Sequence, residues 1–205
     1  ALNRIRPAGT YLEEPELLDV ATALRTIEAL IRFFHVGEEE EGKDTPYPHL
    51  QTLLSEVIAF PDLEKRISSL FDRFGKMKDN ASPELMNIRR ELSSIEKNIS
   101  RTLQGILRLA QSEGWVDQGV QPSVRDGRLV IPVAPAHKRK VRGIVHDESG
   151  TGKTVFIEPA EIVEANNRIR ELEAAERREI IRILIEVCDA LRPHIHDLID
   201  CYEWI

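Results

Sequence analysis

The apolar residues of the N-terminal part recur every three or four positions. Pro15 stands where a first helical turn tolerates proline, because its missing N–H would be unpaired there anyway. The apolar positions that follow are Leu17, Val20, Leu24, Ile27, Ile31 and Phe34. This spacing predicts one amphipathic helix of about 20 residues. The acidic run Glu38–Glu41 comes after it, and we expect a solvated loop there.

Two shorter helices are predicted over about 48–60 and 62–75, and a longer one follows them. Ser82 and Pro83 form a typical helix start, with serine as the N-cap and proline in the first turn. The apolar spacing then continues through Leu85, Ile88, Leu92, Ile95, Ile99, Thr102, Ile106 and Leu109. The helix should run to about Glu113, a length of roughly 45 Å. Such spacing is typical of a coiled coil or a long antiparallel helix pair.

The pattern changes to short β-branched runs between about 121 and 158. "RLVIPV", "VRGIVHD" and "TVFIEP" are cut by glycine and proline and predict strands. Asp126 and Gly127 form a hairpin-type turn between two of them. Helical spacing returns near 160 and extends for more than 30 residues, to a kink or end at Pro193. Its apolar face consists of Ile162, Ile169, Leu172, Ile180, Ile183, Val187 and Leu191.

The predicted fold is therefore mainly α, with long antiparallel helices that form an arm and a small β insertion at its tip. Residues 1–120 would form a helical core and the outgoing long helix. Residues 121–159 would form the β insertion. Residues 160–205 would form the returning helix.

A possible phosphate-binding loop lies at the end of the β region, in "SGTGKTVFIEP" from Ser149 to Pro159. In a nucleotide-binding loop of this type, four residues separate a first glycine from the Gly-Lys-Thr, and the position of that first glycine is Asp147 here. The loop must also open a helix, whereas a strand-like sequence follows here. We therefore expect a hairpin turn over Ser149–Gly152, and neither a nucleotide site nor an NTPase.

Composition narrows the function classes. The 205 residues carry a formal net charge of −7, so bulk charge does not favour nucleic-acid binding. The chain has two cysteines, no apolar run long enough to span a membrane and no signal peptide, which indicates a cytoplasmic protein. It begins without methionine and ends within a helical pattern, and we expect a piece of a longer protein.

Positive charge is nevertheless concentrated between residues 125 and 153. The segment carries a net charge of +4 and the rest of the chain −11. Its cations are Arg125, Arg128, Lys138, Arg139, Lys140, Arg142 and Lys153. Such segregation focuses a positive field of the kind that phosphate backbones require. We predict nucleic-acid contacts at Lys138, Arg139, Lys140 and Arg142 first and at the other three second; the alternative is a solvated hairpin that is basic only for solubility.

Other chemistry has weaker support. Metal-capable atoms occur together near the C-terminal end, in His194, His196, Asp197, Asp200 and Cys201. Zinc sites usually show clearer paired spacing, so a charged helix face is the preferred interpretation. Cys188 should be a small core residue. No spacing argues for nucleophilic catalysis, and we expect no catalytic, cofactor or metal site within these residues.

The segment from Arg128 to Leu184 closely resembles the MutS-II family, the second branch of bacterial MutS-like proteins. The resemblance rests on three motifs, "RLVIPV", "RGIVHDESGTGKTVFIEP" and "NNRIRELEAAERRE". "ASPELMNIRREL" and "GTYLEEPELLDV" are softer matches, so the resemblance covers nearly the whole chain. Lys153 departs from the family, which usually has a small or neutral residue there, and would add a phosphate contact.

The resemblance implies the core, lever and clamp region of a dimeric clamp-like protein that binds branched DNA and opposes homologous recombination. It also implies a C-terminal ATPase domain, with ATP and Mg²⁺, and an Smr-type nuclease domain, neither contained in these 205 residues. Some family members resemble factors that act on collided ribosomes. The alternative function is therefore a non-catalytic module for dimerisation or ribosome docking, with the basic tip on ribosomal RNA or a protein.

Overall fold

The computed structural model describes residues 1–35, 49–50 and 57–203. The helices are Glu14–His35 (α1), Pro61–Leu70 (α2), Pro83–Ser112 (α3), Val163–Leu191 (α4) and Ile195–Glu203 (α5). The strands are Ser123–Arg125 (β1), Arg128–Val133 (β2), Gly143–Glu148 (β3) and Val155–Pro159 (β4). The predicted fold class, mainly α with a small β insertion, is confirmed. The predicted loop over 38–41 and most of the helix predicted over 48–60 lie outside the described residues.

The helix predicted over 62–75 is shorter than expected. α2 ends at Leu70, and Phe71 is already extended, with φ −111° and ψ 150°. Phe71 then forms an isolated antiparallel bridge with Met77 across a tight turn. The Asp72 carboxylate ends the helix because it accepts hydrogen bonds from the N–H groups of Phe74 and Lys76, which are then unavailable to a helix.

The predicted start of α3 is confirmed. Ser82 accepts a hydrogen bond on Oγ from the Leu85 N–H at 3.0 Å, which is N-cap geometry. The same hydroxyl donates to Glu179 Oε1 at 2.6 Å. Further along, Arg89 pairs with Glu176 and Glu91 with Arg168, each at 2.7 Å. The earlier residue of α3 pairs with the later residue of α4, as in an antiparallel pair.

The buried face of α3 departs from the predicted one in its second half. Leu103, Leu107 and Ala110 are buried, whereas Thr102 is exposed and Leu109 is 57% exposed. The predicted positions repeat every 3.5 residues, while a straight helix repeats every 3.6 and drifts by about 20° per heptad. After several heptads this drift moves the buried face by about one residue.

The four strands form one antiparallel sheet in the order β1-β2-β4-β3. The predicted Asp126-Gly127 turn joins β1 to β2, and both residues have positive φ (48° and 70°), as in a type I′ hairpin. β2 and β3 lie on opposite sides of β4, so residues 134–142 cross from one to the other. A register shift in β3 between Val145 and Asp147 leaves His146 unpaired in the ladder.

The chain divides into two compact units, one of residues 1–86 and 178–205 and one of residues 87–177. Each has its own apolar core. That of the first contains Leu17, Phe71, Leu184 and Leu191; that of the second contains Leu103, Ile131, Ile157 and Ile169. The domain boundaries predicted after residues 120 and 159 remain a prediction.

Candidate nucleic-acid interface

The apparent phosphate-binding loop is the turn of the β3–β4 hairpin. The Gly152 N–H donates to the Ser149 carbonyl at 2.7 Å, and the Ser149 N–H donates to the Thr154 carbonyl at 2.8 Å. Gly152 has φ +66°, which glycine adopts without strain. A strand follows the turn, so no helix N-terminus faces Lys153 and Thr154. The predicted hairpin turn is confirmed.

The connection between β2 and β3 carries four of the predicted contacts. We call residues Lys138–Arg142 the basic connection. It follows a 3₁₀ turn over Pro135–His137, and the Lys140 N–H donates to the His137 carbonyl at 2.8 Å. Val141 is buried and packs into the core of the second unit. These contacts give the segment a defined backbone.

The cations of the basic connection face solvent. Lys138, Arg139, Lys140 and Arg142 are all exposed. Within the described residues, none of these side chains forms a salt bridge or hydrogen bond. The Arg142 carbonyl accepts the Ala160 N–H at 3.0 Å, which ties the end of the connection to the residues before α4. Among the described residues, these four cations therefore have no internal partner that a ligand would have to displace.

Lys153 is exposed in a separate turn. It precedes Val155, whose register partner is Val133, the last residue of β2. The hairpin turn and the start of the β2–β3 connection therefore lie at the same end of the sheet. Lys153 remains a predicted secondary contact.

Arg125 and Arg128 make internal contacts instead. Arg128 donates to Glu158 Oε1 at 2.8 Å and to Asn167 Oδ1 at 2.7 Å. The Arg125 guanidinium lies 4.0 Å from the centroid of the Phe156 ring, with Nε 3.3 Å from an Asp147 carboxylate oxygen. Of the seven predicted cations, these two thus hold the sheet together, whereas the other five form no salt bridge or side-chain hydrogen bond with the part of the chain that the structure describes.

A buried polar cluster around Glu158 supports this sheet, and sequence reasoning missed it. The Glu158 side chain is fully buried. Its carboxylate accepts from Arg128 and from Asn166 Nδ2 (2.7 Å), and its other oxygen is 2.6 Å from His146 Nε2. Asn166 also exchanges hydrogen bonds with the Leu129 backbone. The cluster joins β2, β3 and β4 to the first turn of α4.

The ionisation of Glu158 follows from these contacts. Burial on its own would raise the pKa of the carboxyl group, because a charge is poorly solvated there. Hydrogen bonds from Asn166, His146 and Arg128 outweigh burial and place the pKa of Glu158 below its ordinary value. The group is therefore a carboxylate near neutral pH, compensated by Arg128.

Metal-binding and membrane-spanning features are both absent from the part of the chain that the structure describes. No group of three or more His, Cys, Asp and Glu side chains is placed to share a metal ion. His196 Nδ1 lies 3.6 Å from an Asp200 carboxylate oxygen, while Cys188 and Cys201 are both buried. In the same part, none of the helices combines the length and apolar character needed to cross a membrane.

The chain is similar to known bacterial proteins over most of its length. No protein-family model matches the chain. A protein named Endonuclease MutS2 from Pelotomaculum thermopropionicum is 38% identical over 186 residues, which cover 91% of this chain and 23% of that protein. The protein of the same name from Halalkalibacterium halodurans is 36% identical over 190 residues, or 93% and 24%. This chain is homologous to one segment of the MutS2 proteins.

The resemblance to the MutS-II family is therefore confirmed over nearly the whole chain. A third relative, Endonuclease MutS2 of Lacticaseibacillus paracasei, is 37% identical over 95% of the chain. The chain spans about a quarter of the length of the curated MutS2 relatives it matches. The word endonuclease in their names describes those whole proteins.

Proposed function

We propose that this MutS2-like segment binds the phosphate backbone of nucleic acid, without catalysis of its own, through the basic connection. The observation that carries the proposal is the exposure of four cations within residues 138–142 on a backbone fixed by Val141 and Arg142. Phosphates would replace only water around these side chains. Lys153 is a secondary contact, and Arg125 and Arg128 would contribute only by leaving their internal partners.

Charge distribution supports backbone binding. The segment 125–153 is positive in a chain with a net charge of −7, so the field that attracts phosphate is local. Lysine and arginine contacts to phosphate supply affinity that does not depend on sequence. We therefore expect steep salt dependence and little discrimination among base sequences.

The preferred ligand is branched DNA. The proposed biological role is suppression of homologous recombination, and the proposed localisation is the cytoplasm. This choice rests on the family resemblance. In the same proposal the segment acts in a homodimer, and ATP and Mg²⁺ serve an ATPase domain of the full-length protein. Ribosomal RNA or the ribosome is the alternative ligand for the same cations.

The test is fluorescence anisotropy with branched DNA, linear duplex DNA and structured RNA over a salt series. The test variant carries Ala at residues 138, 139, 140 and 142. The matched control carries Ala at Lys97, Arg101, Arg170 and Arg177, which are exposed helical cations without salt bridges in the described residues. Both variants lose four positive charges, so a bulk charge effect acts on both equally.

We expect the test variant to lose most of its affinity for duplex DNA, and its log–log salt slope to fall by about 3 to 4. The control should keep most of both. Preference for branched DNA would support the recombination role, and preference for structured RNA would support the ribosomal one. Equal losses in the two variants, or no loss in either, would refute the basic connection as the interface.

A further inference from the structure

The turn between α2 and α3 holds an aromatic side chain in solvent. We call residues Phe71–Lys78 the Phe74 turn. Phe74 is 71% exposed, and the Arg73 guanidinium lies over one face of its ring, 4.6 Å from the centroid, so a base would stack on the opposite face. An exposed aromatic ring beside cations is the combination on which single-stranded nucleic acids stack their bases. This turn belongs to the first compact unit, whereas the basic connection belongs to the second.

The backbone of the Phe74 turn is ordered by its own hydrogen bonds. Asp72 Oδ1 accepts from the N–H of Phe74 at 2.8 Å and from that of Lys76 at 3.0 Å. The Asp72 N–H donates to the Lys76 carbonyl at 2.9 Å, and the Lys78 N–H donates to the Leu70 carbonyl at 2.8 Å. A ligand therefore meets a preorganised surface and does not have to order a loop.

The base of the turn is anchored in the core. Phe71 and Met77 are each only 4% exposed and pack in the apolar core of the first unit. At the tip, Gly75 has φ +77°, and a Cβ there would lie 2.9 Å from Leu18 Cδ1. The tip thus rests against α1, and Phe74 between these anchors is held outward.

The charges of the turn complement an anionic strand. Arg73 and Lys76 are exposed. Hydrogen bonds from the N–H groups of Lys76 and Phe74 lower the pKa of Asp72, and its charge is directed at the backbone of the turn. Lys78 donates its Nζ to the Ser69 carbonyl at 2.8 Å, which leaves Arg73 and Lys76 as the phosphate contacts.

We propose that the Phe74 turn is a binding site for single-stranded nucleic acid, in which a base stacks on Phe74 and adjacent phosphates contact Arg73 and Lys76. A protein partner would need a wider apolar surface than one ring between two cations. The site requires an unpaired base, since bases within a duplex have no free face for Phe74. It is therefore distinct from duplex backbone binding by the basic connection.

The test measures anisotropy of labelled oligo(dT) and oligo(U) of about 12 nucleotides, a length within the usual range of such sites. The variants are Phe74→Ala, Phe74→Tyr and, as the matched control, Phe33→Ala. Phe33 is a 66% exposed phenylalanine on α1. Because both phenylalanines are largely exposed, all three proteins should fold, and circular dichroism melting checks this.

We expect Phe74→Ala to weaken oligonucleotide binding about tenfold or more, as for loss of one stacked base. Phe74→Tyr should bind like the wild type, because tyrosine keeps the aromatic face, and Phe33→Ala should have no effect. Arg73→Ala with Lys76→Ala should reduce the salt slope by about 1.4. Binding of either oligonucleotide supports the site; because oligo(dT) and oligo(U) differ in the thymine methyl group as well as in the sugar, oligo(dU) is the comparison that isolates the sugar.

The proposal is overturned if the wild type binds neither oligonucleotide, if Phe74→Ala binds as tightly as the wild type, or if Phe33→Ala loses as much. The variant with Ala at 138, 139, 140 and 142 is measured in parallel on duplex DNA. Loss of duplex binding only in that variant, with Phe74→Ala silent on single strands, would reject the Phe74 site and retain the basic connection. Loss of single-strand binding in Phe74→Ala, with duplex binding kept in the variant with Ala at 138, 139, 140 and 142, would retain the Phe74 site and reject the basic connection.

Discussion

Glu158 shows how one residue can determine the local structure of the candidate interface. A buried carboxylate is costly unless a counter-charge and hydrogen bonds compensate it. Arg128, His146 and Asn166 provide this compensation from β2, β3 and α4. The residue therefore fixes the sheet to the start of α4, and with it both ends of the β2–β3 connection.

Glu158→Gln should destabilise the second unit by about 3 kcal/mol, because it leaves the mostly buried Arg128 guanidinium without its counter-charge. Urea unfolding followed by circular dichroism measures the change. Glu148→Gln makes the same chemical change at an exposed position of β3 and should alter stability little. A Glu158→Gln protein as stable as the wild type would show that the carboxylate charge is not needed.

The wild type and the Glu158→Gln variant should differ in how their free energy of unfolding depends on pH. The folded pKa of Glu158 lies below its ordinary value, so its contribution is present above the unfolded pKa, about 4.3, and is lost as pH falls through the folded pKa. The stability gap between wild type and Glu158→Gln should therefore narrow below about pH 4. A constant gap down to the lowest pH would contradict this assignment.

At the scale of elements, the close approach of β3 to β4 sets the position of the basic connection. Gly143 begins β3 directly after Arg142 and pairs with Pro159. A Cβ at Gly143 would lie 2.1 Å from the Glu158 carbonyl oxygen, which is backbone and cannot rotate away. Only glycine allows the two strands to meet there.

Gly143→Ala should destabilise the β3–β4 pair by about 1 to 3 kcal/mol, the usual cost of overpacking. Thermal unfolding and amide exchange of β3 and β4 would measure this effect. Gly150→Ala is the matched control, because a Cβ at Gly150 meets no atom within 4 Å, and it should be tolerated. Equal stability of the two variants would mean that β3 can shift away from β4 at no cost.

At the scale of the whole molecule, the proposed role of α3 and α4 is to transmit a nucleotide-dependent state to the basic connection. The proposal rests on their lengths of 30 and 29 residues and on the family resemblance. Both helices contribute residues to the two compact units. Transmission can be observed only in a full-length MutS2 protein that carries this segment.

Spin labels at Lys138→Cys in such a dimer should give different inter-label distances with and without ATP. Cys188 and Cys201 are buried, so within this segment labelling should favour the introduced cysteine. Arg139→Cys should reproduce the shift from a neighbouring position. Distance distributions that are identical in both nucleotide states at both positions would refute the lever hypothesis.

The sequence by itself determined most of the helices and the two hairpin turns of the sheet, because their signals are local. A helix is indicated by apolar residues three or four positions apart and by a start such as Ser82-Pro83. A hairpin turn is indicated by neighbouring residues such as Asp126-Gly127 or by the glycines within 149–152. The concentration of positive charge is likewise a property of sequence. The predicted end of α2 was wrong, because the Asp72 side chain competes with the helix for backbone N–H groups.

Only the tertiary structure decided which cations are free and which face of α3 is buried. Arg128 and Glu158 are 30 residues apart in the chain, and Arg128 and Asn167 are 39 apart; no local pattern contains such pairs. The exposure of Phe74 depends on Leu18, Phe71 and Met77 in the same way. Ion pairing and burial are set by neighbours in space, and the register of the strands and helices chooses those neighbours.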